Sequence, residues 1–168
     1  GITSKEFKMQ IDDLDFSISS GHYDFSSHFN DTKEKLERYI DQCIKGAHTL
    51  DSKYITWPWL APEYRSIENF KILADKLNAI GEQVTNAGLQ FAYHNHDFEF
   101  MKDADGIVPI DYLLENCDPE LVNFQMDLFW VTKAGADPLA YFEKYPGRFI
   151  IWHVKDMDDQ GRFAPVGN

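Results

Sequence analysis

Three short segments carry side chains whose types and spacing suit metal chemistry: His94-Asn95-His96, Asp127, and His153-Val154-Lys155. Imidazole and carboxylate donors together bind divalent ions and leave positions open for substrate oxygens. A single histidine at a strand end is more often ordinary hydrogen-bonded packing. A His-x-His pair joined by an Asp and a His-x-Lys is a stronger pattern. The expected ligands are His94, His96, Asp127 and His153, around a divalent ion drawn from Mn, Mg, Co or Zn. Lys155 is the candidate to hold a substrate oxygen or a developing negative charge, and His96 the candidate to move a proton. The ordinary alternative for Lys155 is an ion pair with Asp156 or Asp127. His22, Trp57 and Trp130 are the candidate walls of a substrate pocket, with ordinary packing as the alternative for the two indoles.

These residues must be positioned by an alternating chain of strands and helices. Strand-like runs cover residues 16–22, 54–58, 89–96, 122–128 and 149–155, and helix-like runs cover 31–49, 66–87 and 110–117. In 31–49, Leu36, Tyr39, Ile40, Cys43 and Ala47 recur at helical spacing behind an Asp31/Glu34 capping box. In 66–87, Phe70, Ala74, Leu77, Gly81 and Val84 share a face, with Ser66 as N-cap and Gly88 as the C-terminal glycine. Asp137-Pro138 opens a further helix that Pro146-Gly147 ends. Repeated βα units predict a parallel sheet, barrel or doubly wound. Short helix-to-strand links and long strand-to-helix links, the latter including 127–137, favour a (β/α) barrel with its active face at the strand C-termini.

Alternation along the strands sharpens the site. In 89–96 the apolar Leu89, Phe91 and Tyr93 share one face, and Gln90, Ala92, His94 and His96 the other. In 122–127 Val122, Phe124 and Met126 face outward toward helices, leaving Asn123, Gln125 and Asp127 inside. His153 and Lys155 share a face in the last strand. Three successive strands thus deliver polar groups to one interior.

At these residues the chain resembles the sugar phosphate isomerase/epimerase family, whose fold is the xylose isomerase-like TIM barrel. The resemblance is carried by Phe91-Ala92-Tyr93-His94-Asn95-His96-Asp97-Phe98-Glu99-Phe100, by Asp127-Leu128-Phe129-Trp130 with Lys133-Ala134-Gly135, and by Pro146-Gly147-Arg148. His153-Val154-Lys155-Asp156, Phe163-Ala164-Pro165-Val166-Gly167 and Ser19-Ser20-Gly21-His22 extend it over most of the chain. It implies a metal held from several strand ends, commonly by Glu, Asp, His and a further Glu. Asp127 and His153 match the Asp and His. His94 stands at the first Glu position with His96 as its competitor, and the last Glu would follow a strand beyond residue 168. Trp130 occupies a position where ketose epimerases of this kind carry His.

The implied activity is a metal-dependent isomerase or epimerase acting on a sugar or sugar phosphate through an enediolate. The alternative on the same barrel is a keto-sugar lyase or dehydratase, of the inosose dehydratase or 3-keto-glycoside-cleaving kind. A non-catalytic sugar-binding barrel and an endonuclease IV-type enzyme are further alternatives. The last conflicts with a net charge of −12, from 16 Lys+Arg against 28 Asp+Glu, which supplies no basic footprint for nucleic acid. No apolar run reaches the roughly 18 residues of a membrane span. The two cysteines, Cys43 and Cys117, lie in helix-like segments without metal spacing and read as reduced, buried thiols. The first residues lack the charged and apolar regions of a signal peptide, and the expectation is a cytoplasmic protein; the start without Met reads as the middle of a longer chain, which leaves the periplasm open. The partner the resemblance implies is a small-molecule sugar, and self-association is left open. An eight-unit barrel needs roughly 200 residues or more. The 168 residues, with five strand-like runs, therefore read as one incomplete (β/α)8 barrel domain, truncated at both ends.

Overall fold

The computed structural model describes residues 1–167. Five strands, β1 (Ser20–His22), β2 (Tyr54–Trp57), β3 (Gln90–His94), β4 (Asn123–Asp127) and β5 (Phe149–His153), form one parallel sheet in the order β1-β2-β3-β4-β5. A doubly wound sheet reverses its strand order at a switch point. This one runs in sequence order throughout, which is the topology of a (β/α) barrel. Helices α1 (Ser4–Asp13), α2 (Lys33–Thr49), α3 (Ile67–Asn86), α4 (Pro109–Asn116), α5 (Leu128–Lys133) and α6 (Pro138–Lys144) alternate with the strands. A two-stranded antiparallel hairpin, β6 (Asp156–Met157) with β7 (Phe163–Ala164), follows β5.

The core lies between the sheet and its helices. Ile55, Trp57, Phe91, Tyr93, Phe124 and Met126 project from the strands onto Ile40 and Cys43 of α2, Phe70, Leu73 and Leu77 of α3, and Ile110 and Leu113 of α4. Full burial of each such side chain stabilises the fold by about 1.5–3 kcal/mol. Within α3 the expected stripe is buried, and Gly81 has a packing reason to be glycine. A Cβ there would sit 2.4 Å from the backbone oxygen of Leu121. Gly88, at φ +77°, closes the turn into β3 in the left-handed conformation that glycine adopts without strain.

Local departures from the sequence expectation have identifiable causes. The first strand shortens from 16–22 to Ser20–His22, and Phe16 is exposed. An unanticipated helix, α1, precedes it, opened by a Thr3/Glu6 capping box. Helix α2 is preceded by Thr32 as N-cap rather than an Asp31/Glu34 box, because Asp31 binds Nδ1 of His28 at 2.8 Å. The segment 127–137, read as a loop, contains α5, whose N-cap is Asp127 itself.

The β4–β5 register carries the shift that matters most for the site. Phe124 pairs with Phe149, but Gln125 pairs with Ile151 and Asp127 with His153. One extra residue on β5 is accommodated between these pairs, a β-bulge. Without it Asp127 would face Trp152. With it, Phe149 stays in the core beside Phe124 and Phe142, and His153 still turns inward beside Asp127.

Candidate metal centre

Four of the five strands end on a polar side chain of the site: β1 on His22, β3 on His94, β4 on Asp127 and β5 on His153. Ligand atoms of His94, Asp127 and His153 all lie within 4.8 Å of one another. Asp127 is the centre of the group. Its Oδ1 accepts hydrogen bonds from Phe129 N (3.1 Å) and Trp130 N (3.2 Å), capping α5. Its own backbone N–H donates to Asn95 Oδ1 at 3.0 Å. The carboxylate is therefore fixed by one oxygen, and Oδ2 is presented to the interior. There it meets His94 Nε2 at 3.6 Å, His153 Nδ1 at 3.3 Å and Lys155 Nζ at 2.7 Å. These are ionic distances without hydrogen-bond geometry, since Oδ2 and His153 Nδ1 are both buried and have no hydrogen-bond partner among the described residues.

Asp127 Oδ2 is ion-paired with Lys155, yet neither it nor the His153 nitrogen beside it has a hydrogen-bond partner among the described residues, and buried polar atoms so placed are costly unless something compensates them. A divalent cation fits that donor set of two imidazoles and one carboxylate. Burial, reinforced by the neighbouring histidines and Lys155, pushes His94 down to about 2, so its ring is neutral and has a lone pair to offer. His153 is lowered for the same first reason, burial, with Lys155 adding to it and Asp127 opposing.

The structure brings His94, Asp127, His153, Lys155 and His22 together and does not bring His96 into the ligand group. His96 follows the end of β3 and joins an aromatic wall. Its ring centroid lies 4.8 Å from that of Trp59, 5.2 Å from Trp130 and 5.0 Å from His94. Its Nδ1 is buried with no hydrogen-bond partner among the described residues, and burial lowers its pKa to about 4. Trp130 is half-buried beside it, as a pocket residue would be. Trp57 is the correction. It is 1% exposed and stacks on Phe25 on the helix side of the sheet, because alternation in β2 sends Ile55 and Trp57 outward together. Trp59, two residues on and 42% exposed, takes the rim position instead, with the Arg65 guanidinium over its ring. For Lys155 both expectations coincide, since its ion pair with Asp127 holds the ammonium at the site.

Three polar residues behind the site had no assigned role in the sequence. Gln125, buried beside Asp127, reaches His22 Nε2 (2.8 Å) and His94 Nδ1 (2.9 Å) with the same Oε1. Its inward phase in β4 was the available signal. Asn95 fixes the Asp127 backbone. Glu99 is fully buried, accepting from Tyr93 Oη at 2.8 Å and from the His96 backbone N–H at 2.8 Å. Burial pushes its carboxyl up to about 7 against those hydrogen bonds, which lower it.

Residues 2–168 match the family described as xylose isomerase-like TIM barrel. The chain belongs to that family. Solved structures similar to this chain include two sugar phosphate isomerase/epimerases from Parabacteroides distasonis. One superposes at a TM-score of 0.83 with 30% identity, over 92% of this chain and 57% of that one. The other does so at 0.82 with 26% identity, over 95% and 65%. In sequence, inosose dehydratase from Clostridium beijerinckii is 32% identical over 94 residues, 56% of this chain and 30% of its own length. The chain thus spans about a third of that curated relative and under two thirds of these solved structures. The family resemblance and the incomplete (β/α)8 barrel expected from the sequence are both borne out.

Proposed function

We propose that this chain forms the metal-bearing part of a barrel enzyme that removes the proton next to a sugar carbonyl and returns it, an isomerase or epimerase. The observation that carries this reading is the convergence of His94, Asp127 and His153 within 4.8 Å at three adjacent strand ends, with Lys155 against the same carboxylate oxygen. A divalent ion held by these three would supply positive charge against the negative charge developing on an enediolate. A fourth ligand, a carboxylate, would come from the part of the barrel beyond these residues.

The chain's own groups support the rest. Asp127, locked by the α5 cap, keeps its free oxygen in place without reorganisation. Lys155 Nζ, now paired with that oxygen, would be free to donate to a substrate oxygen with Asp127 serving as a metal ligand. His96, neutral at pH 7 with an unpaired Nδ1, is available to accept the carbon-bound proton. Trp59 and Trp130 flank it as apolar walls for a sugar ring. Metal, sugar substrate and the role of each residue are all part of this reading.

A second reading is favoured by the curated relatives, which are inosose dehydratases. The same carbanion expels a β-hydroxyl instead of being reprotonated. Incubation of the full-length protein with a ketohexose and with an inosose in D2O separates the two. Deuterium entering the carbon beside the carbonyl without loss of water supports isomerisation, and loss of water from the inosose supports dehydration. Neither outcome with metal-loaded protein would refute both.

A further inference from the structure

The bifurcated contact at Gln125 determines more than packing. A neutral imidazole carries one N–H, and the other ring nitrogen bears a lone pair. His22 Nε2 and His94 Nδ1 both approach Gln125 Oε1, at 2.8 and 2.9 Å. A carbonyl oxygen has two lone pairs and only accepts, so it can receive one N–H from each ring. The opposite arrangement, with the amide turned so that its NH2 donates to both rings, would put the proton of His94 on Nε2. That N–H would then face Asp127 Oδ2, where a charge-assisted hydrogen bond runs to about 2.7–2.9 Å. The observed separation is 3.6 Å. Two lone-pair-bearing atoms stand off at such a distance, and a donor and a carboxylate would close it.

The geometry points to Gln125 as the positioning residue that fixes the tautomers of His22 and His94 together. Gln125 sits in register with His94 across the β3–β4 ladder, two residues before Asp127 on the same face. It is 5% exposed, which largely shields its amide from solvent. Fixing Nδ1–H on His94 aims the Nε2 lone pair at the Asp127 side, the orientation a metal ligand needs. Fixing Nε2–H on His22 leaves Nδ1 as the acceptor. That nitrogen then suits a hydroxyl donor, such as a sugar OH, and rejects an acceptor such as an ether or carbonyl oxygen. The two rings, 5.2 Å apart, are thereby coupled through one amide. The consequence for metal affinity rests on the proposed metal centre. The tautomers themselves do not.

The test uses the protein labelled with 15N-histidine, metal-free and then titrated with zinc, for the wild type, Gln125→Met and Gln125→Glu. Met keeps the volume and removes the acceptor, and Glu keeps the acceptor. We expect wild-type spectra with His94 as the Nδ1–H and His22 as the Nε2–H tautomer. In the Met variant both should become mixed, with zinc affinity weakened about 10–100-fold, the usual effect of removing a partner behind a metal ligand. The Glu variant should restore both tautomers and hold zinc within a few-fold of wild type or tighter. Unchanged tautomers in Gln125→Met, or a Glu variant that fails as the Met variant does, would overturn the assignment. A wild type that binds no zinc would refute the metal reading instead, and the metal-free spectra would still decide the role of Gln125.

Discussion

Glu99 offers a prediction whose size follows from its surroundings. The carboxyl is fully buried under Tyr93 and the backbone of His96, and burial raises its pKa from 4.5 to about 7. A folded-state pKa above the unfolded value means that the folded protein binds more protons between those two values. Stability contributed by this group is therefore present below pH 4.5, falls as pH rises toward 7, and stays low above it. The span from 4.5 to 7, at about 1.4 kcal/mol per pH unit, amounts to about 3 kcal/mol. Glu99→Gln removes the titration. The amide carbonyl still accepts from the His96 N–H, and its NH2 meets Tyr93 Oη, which can turn to accept, so any remaining offset does not vary with pH. The stability difference between wild type and variant should therefore shift by about 3 kcal/mol in favour of Gln between pH 4.5 and 8. Urea denaturation in chelator-containing buffers across that range reads it directly, and the histidines, present in both proteins, cancel. A difference that is flat with pH would refute the claim that this carboxyl is held protonated by burial.

Further outcomes are expected. Gly81→Ala should lower stability by about 1–3 kcal/mol, because the new Cβ drives α3 against the Leu121 carbonyl; an unchanged urea midpoint would contradict the close approach. Trp57→Ala should cost about 3–5 kcal/mol of stability through the cavity beside Phe25. Trp59→Ala should cost about 1 kcal/mol, mainly its contact with Arg65, while raising KM for a sugar substrate; equal stability losses in the two would overturn the assignment of core and rim. Stability of the metal-free protein should also fall as pH drops below the ordinary histidine value of 6.5, since His94 is held neutral down to about 2 in the folded state. His94→Gln should flatten that acid limb in the same urea series, and an unaltered limb would argue against it.

Much of the architecture was legible because strand and helix periods are written separately along the chain. The buried stripes of α2 and α3, and the outward Phe91/Tyr93 and Phe124/Met126 pairs, follow from counting residues. The inward His94 and Asp127 follow as their complement. What alternation could not deliver was anything that breaks it. Counting from Phe149 alone would put His153 on the core side, and only the bulge in β5 brings it beside Asp127. Trp57 takes the packing role that the sequence left open beside the pocket role, because an indole at a strand end satisfies either until its phase is traced through Ile55. Gln125 was seen to face inward, but an amide shared by two imidazoles is a three-body contact across three strands, and no linear spacing encodes it.

The central claim is that His94, Asp127 and His153 bind one divalent ion, and metal content of wild type against Asp127→Asn tests it most directly. Asn is as good an N-cap as Asp, so the variant keeps the α5 cap and the fold while losing the ligating charge. After zinc loading and desalting, the account predicts one ion per chain in the wild type, with an absorption-edge shell at about 2.0–2.2 Å containing imidazoles, and less than a tenth of that occupancy in the variant. A wild type that retains no zinc, or an Asn variant that retains it fully with an unchanged shell, would contradict it.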